Sequence, residues 1–487
     1  MERNHKSLKT NAVLSSIKTL TNILFPLITY PYITNVLSVD SIGRINFSQS
    51  IVSYFSLLAA LGISTFAIRT GSRIRDDENE LRIFSNRIFS INIISMVISL
   101  ILLTILIFLP TKIAEYRPII IILSLTIFLS PFSVEWIFNI YEDFGYITIR
   151  NFLVHLISLI LMFCFVKSEQ DVYLYVALTT AATSFGNIFN YIYSKKYNRF
   201  KFTFDTHWKE YGSTILLFFV NSIASTIYLN SDTTLLGLMC SNYSVGLYSV
   251  ASKIYSVLKQ MFNAVVSSVI PRLSYLQKSN EDEFCKLIKR ILNITILLII
   301  PASVGVIVLR REIIILISGE EYLEATGALS ILSISTIFAV VANLLCNGAL
   351  VCLGRERYIL RATIVSAVVN AGLNFVFIPF MKENGAALTT LLAEIIVVAM
   401  ALYSLRDYCS KMLDTNEIIH SIIGSVLMYF VIGYLVYPNM LNYNMFIRIA
   451  VVIVLGILVY FVFLMCVRDK IINNEILALI RKYTKKG

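Results

Sequence analysis

Charge is scarce in this sequence. Asp, Glu, Lys and Arg together make up 15% of its 487 residues, against about 25% in an ordinary soluble domain. A C-x-x-C pair is also missing, although there are seven cysteines, Cys164, Cys240, Cys285, Cys346, Cys352, Cys409 and Cys466. Most lie in apolar stretches, so they read as small hydrophobes rather than a disulfide framework or a metal site. No G-x-x-x-x-G-K-[ST] run is present to cradle ATP phosphates. No long polar stretch occurs either: the largest gaps between apolar blocks, around 194–211 and 271–290, are too short for a soluble catalytic domain. These absences argue against a chain with its own ATPase domain and against an enzyme, and no cofactor is expected. A cleavable signal peptide is not expected, because the basic start "MERNHKSLK" runs into an apolar stretch too long for a signal h-region.

What is present is apolar. Hydrophobic residues make up 57% of the chain, and the mean hydropathy is +0.75. The excess recurs as blocks at 12–37, 43–68, 84–109, 118–139, 146–166, 172–193, 212–237, 243–270, 291–309, 326–352, 358–380, 384–405, 418–437 and 446–467. About 20 helical residues cross a hydrocarbon core of about 30 Å. The pattern predicts an all-α polytopic membrane protein with fourteen transmembrane helices. The net charge of +11 does not indicate nucleic-acid binding, because the basic residues lie between apolar blocks instead of forming one patch. With a cytoplasmic N-terminus, the even-numbered connections and both tails carry 30 of the 41 Lys and Arg. That asymmetry places both termini in the cytoplasm.

The chain repeats itself. A shift of 203 residues lays "SVDSIGRINFSQSIVSYF" on "SNYSVGLYSVASKIYSVL", with Gly43 on Gly246, and lays "DENELRIFSNRI" on "NEDEFCKLIKRI", with Arg87 on Arg290. A shift of 212 puts Tyr146 on Tyr358. The first shift spans six helices, an even number, so the halves are expected to form a parallel repeat. The expected organisation is a six-helix lobe over 1–200, a second over 205–410, a central cavity between them, and an added helix pair with a basic tail over 411–487.

Polar stripes mark the faces expected to line that cavity. Asn221, Ser225, Tyr228 and Asp232 step by helical spacing, and the repeat sets them on Lys18, Asn22, Phe25 and Thr29. Asn46, Gln49, Ser53 and Ser56 form a second face. Lys253, Ser256, Gln260, Asn263 and Ser267 form a third, within about 80° of arc at 100° per residue, with Lys259 flanking it. A charge inside a membrane span costs about 2.5–3.5 kcal/mol on insertion scales, so such residues face an interior or a watery cavity. Lys18, Lys253 and Lys259 would give the cavity positive charge, although Lys18 and Lys259 lie close enough to span ends to snorkel. Asp232 could cap a helix, pair with a cation or bind a proton. Glu135 and Glu394 lie inside apolar runs and suit either a buried pair or ion coupling. His155 and His420 read as packed histidines.

Four stretches carry a family resemblance: "PLITYPYITNVLSVDSIGRINFSQSIVSYF" (26–55), "EWIFNIYEDFGYITIRNFL" (135–153), "SDTTLLGLMCSNYSVGLYSVASKI" (231–254) and "NGAALTTLLAEI" (384–395). With them the chain resembles the Wzx-type polysaccharide-repeat-unit flippases of O-antigen and capsule assembly. Those belong to the multidrug/oligosaccharidyl-lipid/polysaccharide exporter superfamily. The resemblance implies a bacterial inner-membrane protein of two six-helix lobes plus an extra pair. It implies movement of an undecaprenyl-diphosphate-linked oligosaccharide to the periplasmic leaflet by alternating access, with a proton or sodium as coupling ion. Membrane lipids, a glycan polymerase and a chain-length regulator are the implied partners. Related lipid II flippases have cationic cavities, and Lys18 and Lys253 occupy comparable places. They are lysines where that branch favours arginine, which allows point-charge attraction but not a bidentate fork. A multidrug or cation antiporter of the same superfamily is the alternative; an acidic cavity would favour it and the lysines oppose it.

Overall fold

A computed structural model describes residues 21, 25–412 and 414–467, with the side chains of Asn221 and Ser410 left out. The described residues are mostly helical, with no strand among them. In chain order the helices are α1 (25–36), α2 (Val39–Ala60), α3 (Ile63–Gly71), α4 (Glu78–Phe108), α5 (Arg117–Leu123), α6 (Leu125–Phe128), α7 (Glu135–Ile140), α8 (Phe144–Phe165) and α9 (Val172–Ser194). They continue as α10 (Trp208–Met239), α11 (Asn242–Ser279), α12 (Glu281–Val308), α13 (Arg310–Ser318), α14 (Thr326–Asn343), α15 (Glu356–Ser404), α16 (Arg406–Met412), α17 (Thr415–Phe430) and α18 (Met445–Cys466). Among the described residues, ten helical stretches are long and apolar enough to cross a membrane. The protein is a multi-pass membrane protein.

The chain divides into two compact units between Gly246 and Leu247. In the first, α2 packs against α4 and α10, and a core of Phe66, Phe84, Ile88, Trp136, Phe138 and Phe200 joins α3, α4 and α7 to the segment before α10. In the second, α14 packs against α12 and α15, and α17 against α12 and α18. The added C-terminal pair is tied to α12 by hydrogen bonds as well as apolar contact. Ser421 donates to the Ile296 carbonyl at 3.2 Å, and Tyr460 donates to the Leu297 carbonyl at 2.9 Å.

The two sequence shifts reappear as local structure. Helix α2 starts at Val39 and α11 at Asn242; α4 starts at Glu78 and α12 at Glu281. Both pairs are 203 apart. The N-caps correspond too: Asp77 accepts from the Glu80 amide and Asn280 from the Glu283 amide, each satisfying a donor that the first turn leaves open. The 212 shift holds one turn further on. Glu142 (φ 56°) and Gly354 (φ 67°) are both left-handed. The next residues, Asp143 and Arg355, donate backbone N–H to Phe138 and Leu350 at 2.9 and 2.8 Å, and α8 and α15 begin at Phe144 and Glu356. The second half thus has glycine where the turn requires a positive φ, and the first half holds a glutamate there.

Four apolar blocks differ from simple spans. The block at 118–139 is broken into α5, α6, a 3₁₀ turn containing Pro131, and α7, with Val134 left-handed at φ 32°. Irregular backbone at membrane depth needs cover from protein, and Ile119, Ile120, Ile127, Trp136 and Phe138 are buried around it. The block at 243–270 does not end at Pro271. Proline cannot bond back to the Ser267 carbonyl, yet α11 continues to Ser279. The blocks at 358–380 and 384–405 form one stretch, α15, folded at Lys382 (φ 49°, ψ −127°).

All seven cysteines are free thiols. His155 packs on the Phe25 ring, centroids 4.4 Å apart.

Candidate functional site

Helix α11 carries the densest set of polar residues nominated by the sequence. Lys253, Ser256 and Asn263 are half-buried along it, and Gln260 is exposed. Asn263 keeps its Oδ1 buried without a hydrogen-bond partner among the described residues.

Lys259 does not lie with that stripe. Six residues separate it from Lys253, which at 100° per residue sets the two lysines about 120° apart around the helix. Its ammonium group turns instead to α15, where Nζ donates to Glu394 Oε1 at 2.8 Å. Tyr255, one turn earlier, donates its hydroxyl to the same oxygen at 2.7 Å, and Lys259 lies over the Tyr255 ring, 5.4 Å from its centroid. Glu394 is buried. A carboxylate withdrawn this far from water needs a countercharge and hydrogen bonds, and this one has both. Glu135, the other glutamate in an apolar run, is also paired. It accepts from Arg150, which further donates to Asn151 Oδ1 at 2.6 Å and to the Gly186 carbonyl at 3.3 Å.

In the first unit, Asp232 is buried on α10. Two residues on, Thr234 donates to Ser50 Oγ on α2 at 2.9 Å and lies 3.1 Å from the Tyr54 hydroxyl. Ser225 is half-buried. On α2, Asn46 is half-buried and donates to the Ile42 carbonyl of its own helix at 2.8 Å, while Gln49 is exposed. Lys18 and Asn22 lie outside the described residues, as does the side chain of Asn221.

Three polar clusters were not found from the sequence. Asp143 Oδ2 accepts from Tyr193 and Tyr197, both at 2.8 Å, and Tyr146 stacks on Tyr193 with centroids 3.7 Å apart. The i, i+4 tyrosines were a visible signal; their partner 50 residues earlier was not. In α15, Asn370, Asn374 and Thr389 form a buried ladder in which Thr389 donates to Asn374 Oδ1 at 2.6 Å across the fold at Lys382. Glu312, fully buried on α13, pairs with Arg448 at 3.1 Å and accepts from Tyr437 at 2.7 Å. It fastens the connection between α17 and α18 to the rest of the second unit. An apolar cavity of about 520 Å³ lies between α12, α17 and α18 and is lined by none of the polar residues nominated above.

Residues 7–277 match the family described as "Polysaccharide biosynthesis protein". The chain belongs to that family. The match includes α2, α4, α10 and nearly all of α11, and so every nominated polar residue except Glu394. The MatE family matches residues 218–376 as well, in keeping with a polysaccharide flippase branch of the multidrug/oligosaccharidyl-lipid/polysaccharide exporter superfamily. The chain is 24% identical over 413 residues to a "Putative O-antigen transporter" of Escherichia coli (strain K12), covering 84% of this chain and 99% of that protein. It is 26% identical over 242 residues to a "Probable low-salt glycan biosynthesis flippase Agl15" of Haloferax volcanii, covering 50% of this chain and 51% of the relative. Its fold is like that of "Lipid II flippase MurJ, inward closed conformation", with a TM-score of 0.71 and 19% identity over 95% of this chain and 99% of the other. The family's members here are named as transporters and flippases, not as enzymes.

Proposed function

We propose that this protein flips an undecaprenyl-diphosphate-linked oligosaccharide from the cytoplasmic to the periplasmic leaflet of a bacterial inner membrane, by alternating access coupled to an ion. The carrying observation is the stripe of Lys253, Ser256, Gln260 and Asn263 along helix α11 in a member of the polysaccharide biosynthesis family. The substrate has three parts with different needs. Its lipid tail can stay in the bilayer throughout. Its diphosphate loses hydration on crossing, and Lys253 offsets that loss as a point charge. Its sugars need donors and acceptors in the same path, which Ser256, Gln260, Asn263, Asn46, Gln49, Asn221 and Ser225 supply. The names of the relatives, an O-antigen transporter and a glycan biosynthesis flippase, support the same substrate class.

Lys18 and Asn22 extend the polar lining in this reading. Lys259 belongs with Glu394, and that pair, together with Asp232, is the better candidate for ion coupling. Glu135 acts as an anchor for Arg150. The excess of Lys and Arg in even-numbered connections and tails supports cytoplasmic termini. The MatE match would also suit a drug or cation antiporter; the lysine on the stripe favours an anionic cargo.

Replacing Lys253 by alanine tests the reading in cells. Surface glycan should be lost, at least tenfold if the lysine contributes about 1.4 kcal/mol to diphosphate passage, while the protein still inserts and accumulates. Normal glycan in that variant would remove Lys253 from the path.

A further inference from the structure

Between α9 and α10, residues 199–206 run without helical structure, but they are held in place. The Lys201 amide donates to Asn86 Oδ1 at 2.9 Å, and the Thr203 amide donates to Ser90 Oγ at 2.8 Å. Arg87, between those two anchors on α4, donates to Asp205 Oδ2 at 2.9 Å and lies 2.9 Å from His207 Nε2. His207 in turn lies 3.1 Å from Glu210. The Arg87 hydrogen bond holds the Asp205 carboxyl below its usual range, so the pair stays charged at neutral pH.

These anchors set the depth of the segment. Arg87 is the last charged residue of α4, and the uncharged run Ile88–Phe108 follows it. At 1.5 Å per residue that run is about 31 Å long, the thickness of a hydrocarbon core. The segment is therefore fastened to α4 where the lipid headgroups begin.

Its side chains suit that level. Phe200 turns inward to the core, ring centroid 5.7 Å from Trp136. Phe202, Phe204 and Trp208 do not: they are 44%, 90% and 43% exposed. Exposed phenylalanines on a pinned segment need a solvent other than water. Further along α4, Val97, Ile98 and Ile101 are exposed in the same way, so the apolar surface of this helix continues from the segment toward the membrane interior. Around the aromatic residues, Lys195, Lys196, Arg199, Lys201 and Lys209 are exposed and form no ion pair among the described residues, whereas the nearby acids are engaged by Arg87 and His207.

We propose that residues 199–209 are an interfacial anchor: Phe202, Phe204 and Trp208 enter the headgroup–acyl boundary, and the surrounding basic side chains bind the phosphates of anionic lipid. Aromatic rings are favoured at that boundary, and each basic residue close to an anionic leaflet adds electrostatic attraction. A backbone fixed to a membrane helix supplies the position that a free interfacial peptide would lack. The anionic preference rests on the cytoplasmic placement of this segment argued above; the depth of the aromatic rings rests on α4 alone.

The chain has two tryptophans, Trp136 and Trp208, which makes the depth measurable by fluorescence. The full chain carrying Trp136→Phe, Trp208→Phe and Phe204→Trp is placed in phosphatidylcholine vesicles whose acyl chains are brominated near the headgroup. We expect it to lose more than half its emission relative to unbrominated vesicles, to resist iodide, and to be quenched more strongly when a given fraction of brominated lipid in phosphatidylcholine vesicles is phosphatidylglycerol rather than phosphatidylcholine. The Trp136→Phe protein, with native Trp208 as sole emitter, should behave the same way and stands in if the triple variant misfolds. Emission that iodide quenches and bromine does not would overturn the anchor and leave the patch to a protein partner. Equal quenching by the two brominated lipids at the same fraction would overturn the anionic site.

Discussion

Replacing Glu394 by glutamine, or Lys259 by methionine, should each lower the thermal stability of the purified protein sharply, and replacing both by methionine should restore most of it. The pair lies 2.8 Å apart, with the Glu394 side chain 4% exposed and that of Lys259 25% exposed. Either single change leaves one charge inside the bundle without its partner, at a cost of about 3–5 kcal/mol. That is a large share of a total stability of about 5–15 kcal/mol. The double change removes both desolvation terms and leaves apolar side chains of similar length, which is typically neutral or stabilising. Tyr255 limits the recovery, because its hydroxyl also loses its acceptor. Thermal unfolding of the four proteins in one detergent checks this. Single variants as stable as the parent, or a double variant no better than the singles, would show that the two residues do not act as a pair. The stable double variant then separates folding from coupling: if Glu394 takes part in ion coupling, that protein inserts normally but no longer answers an imposed gradient.

The second large effect is expected at Gly43 and Gly246, which the 203-residue shift places on each other. The first turn of α2 lies directly against the first turn of α11. A Cβ on Gly43 would sit 1.8 Å from the Asn242 carbonyl oxygen, and one on Gly246 would sit 2.1 Å from the Val39 carbonyl oxygen. In both cases the obstacle is backbone, so no rotamer change relieves it. Overpacking of this kind costs about 1–3 kcal/mol and sometimes more. Gly305 and Gly372 provide the control. They are in α12 and α15, and a Cβ at either would meet nothing within 4 Å, so alanine there should be neutral or stabilising by up to about 1 kcal/mol. Yield and melting temperature of the four alanine variants test the contrast. Equal tolerance at all four positions would mean the two first turns are not in contact.

How far the sequence could be read depended on the range of the interaction. The repeat was visible because it preserves local signals: a cap residue before an acidic first turn at Asp77 and Asn280, and a helix start after a left-handed residue at Glu142 and Gly354. Such features are set by neighbours along the chain, and they recur at the predicted shifts. The membrane class was legible because span length and hydropathy follow from bilayer thickness. Proline was a weaker guide. Pro271 is passed by α11, whereas the block containing Pro131 breaks into short pieces. Pairings between distant residues were the least legible. Lys259 and Glu394 are 135 residues apart, and helical periodicity marked Lys259 only as a neighbour of the polar stripe. Glu312 and Arg448 carried no signal in the sequence and form a buried pair. The segment 199–206 looked like an ordinary connection; only its hydrogen bonds to Asn86 and Ser90 fix the level at which its aromatic rings lie.

The central claim, movement of a lipid-linked oligosaccharide, is tested most directly by transport in a defined membrane. Purified protein is reconstituted in vesicles containing a polyprenyl-diphosphate oligosaccharide with a fluorescent group on the glycan, and impermeant dithionite bleaches whatever faces outward. With the protein present, the fraction protected inside should fall below that of protein-free vesicles, faster under an imposed proton or sodium gradient, and the Lys253→Ala protein should leave it unchanged. A protected fraction equal to that of protein-free vesicles, or the same loss with Lys253→Ala, would contradict the account.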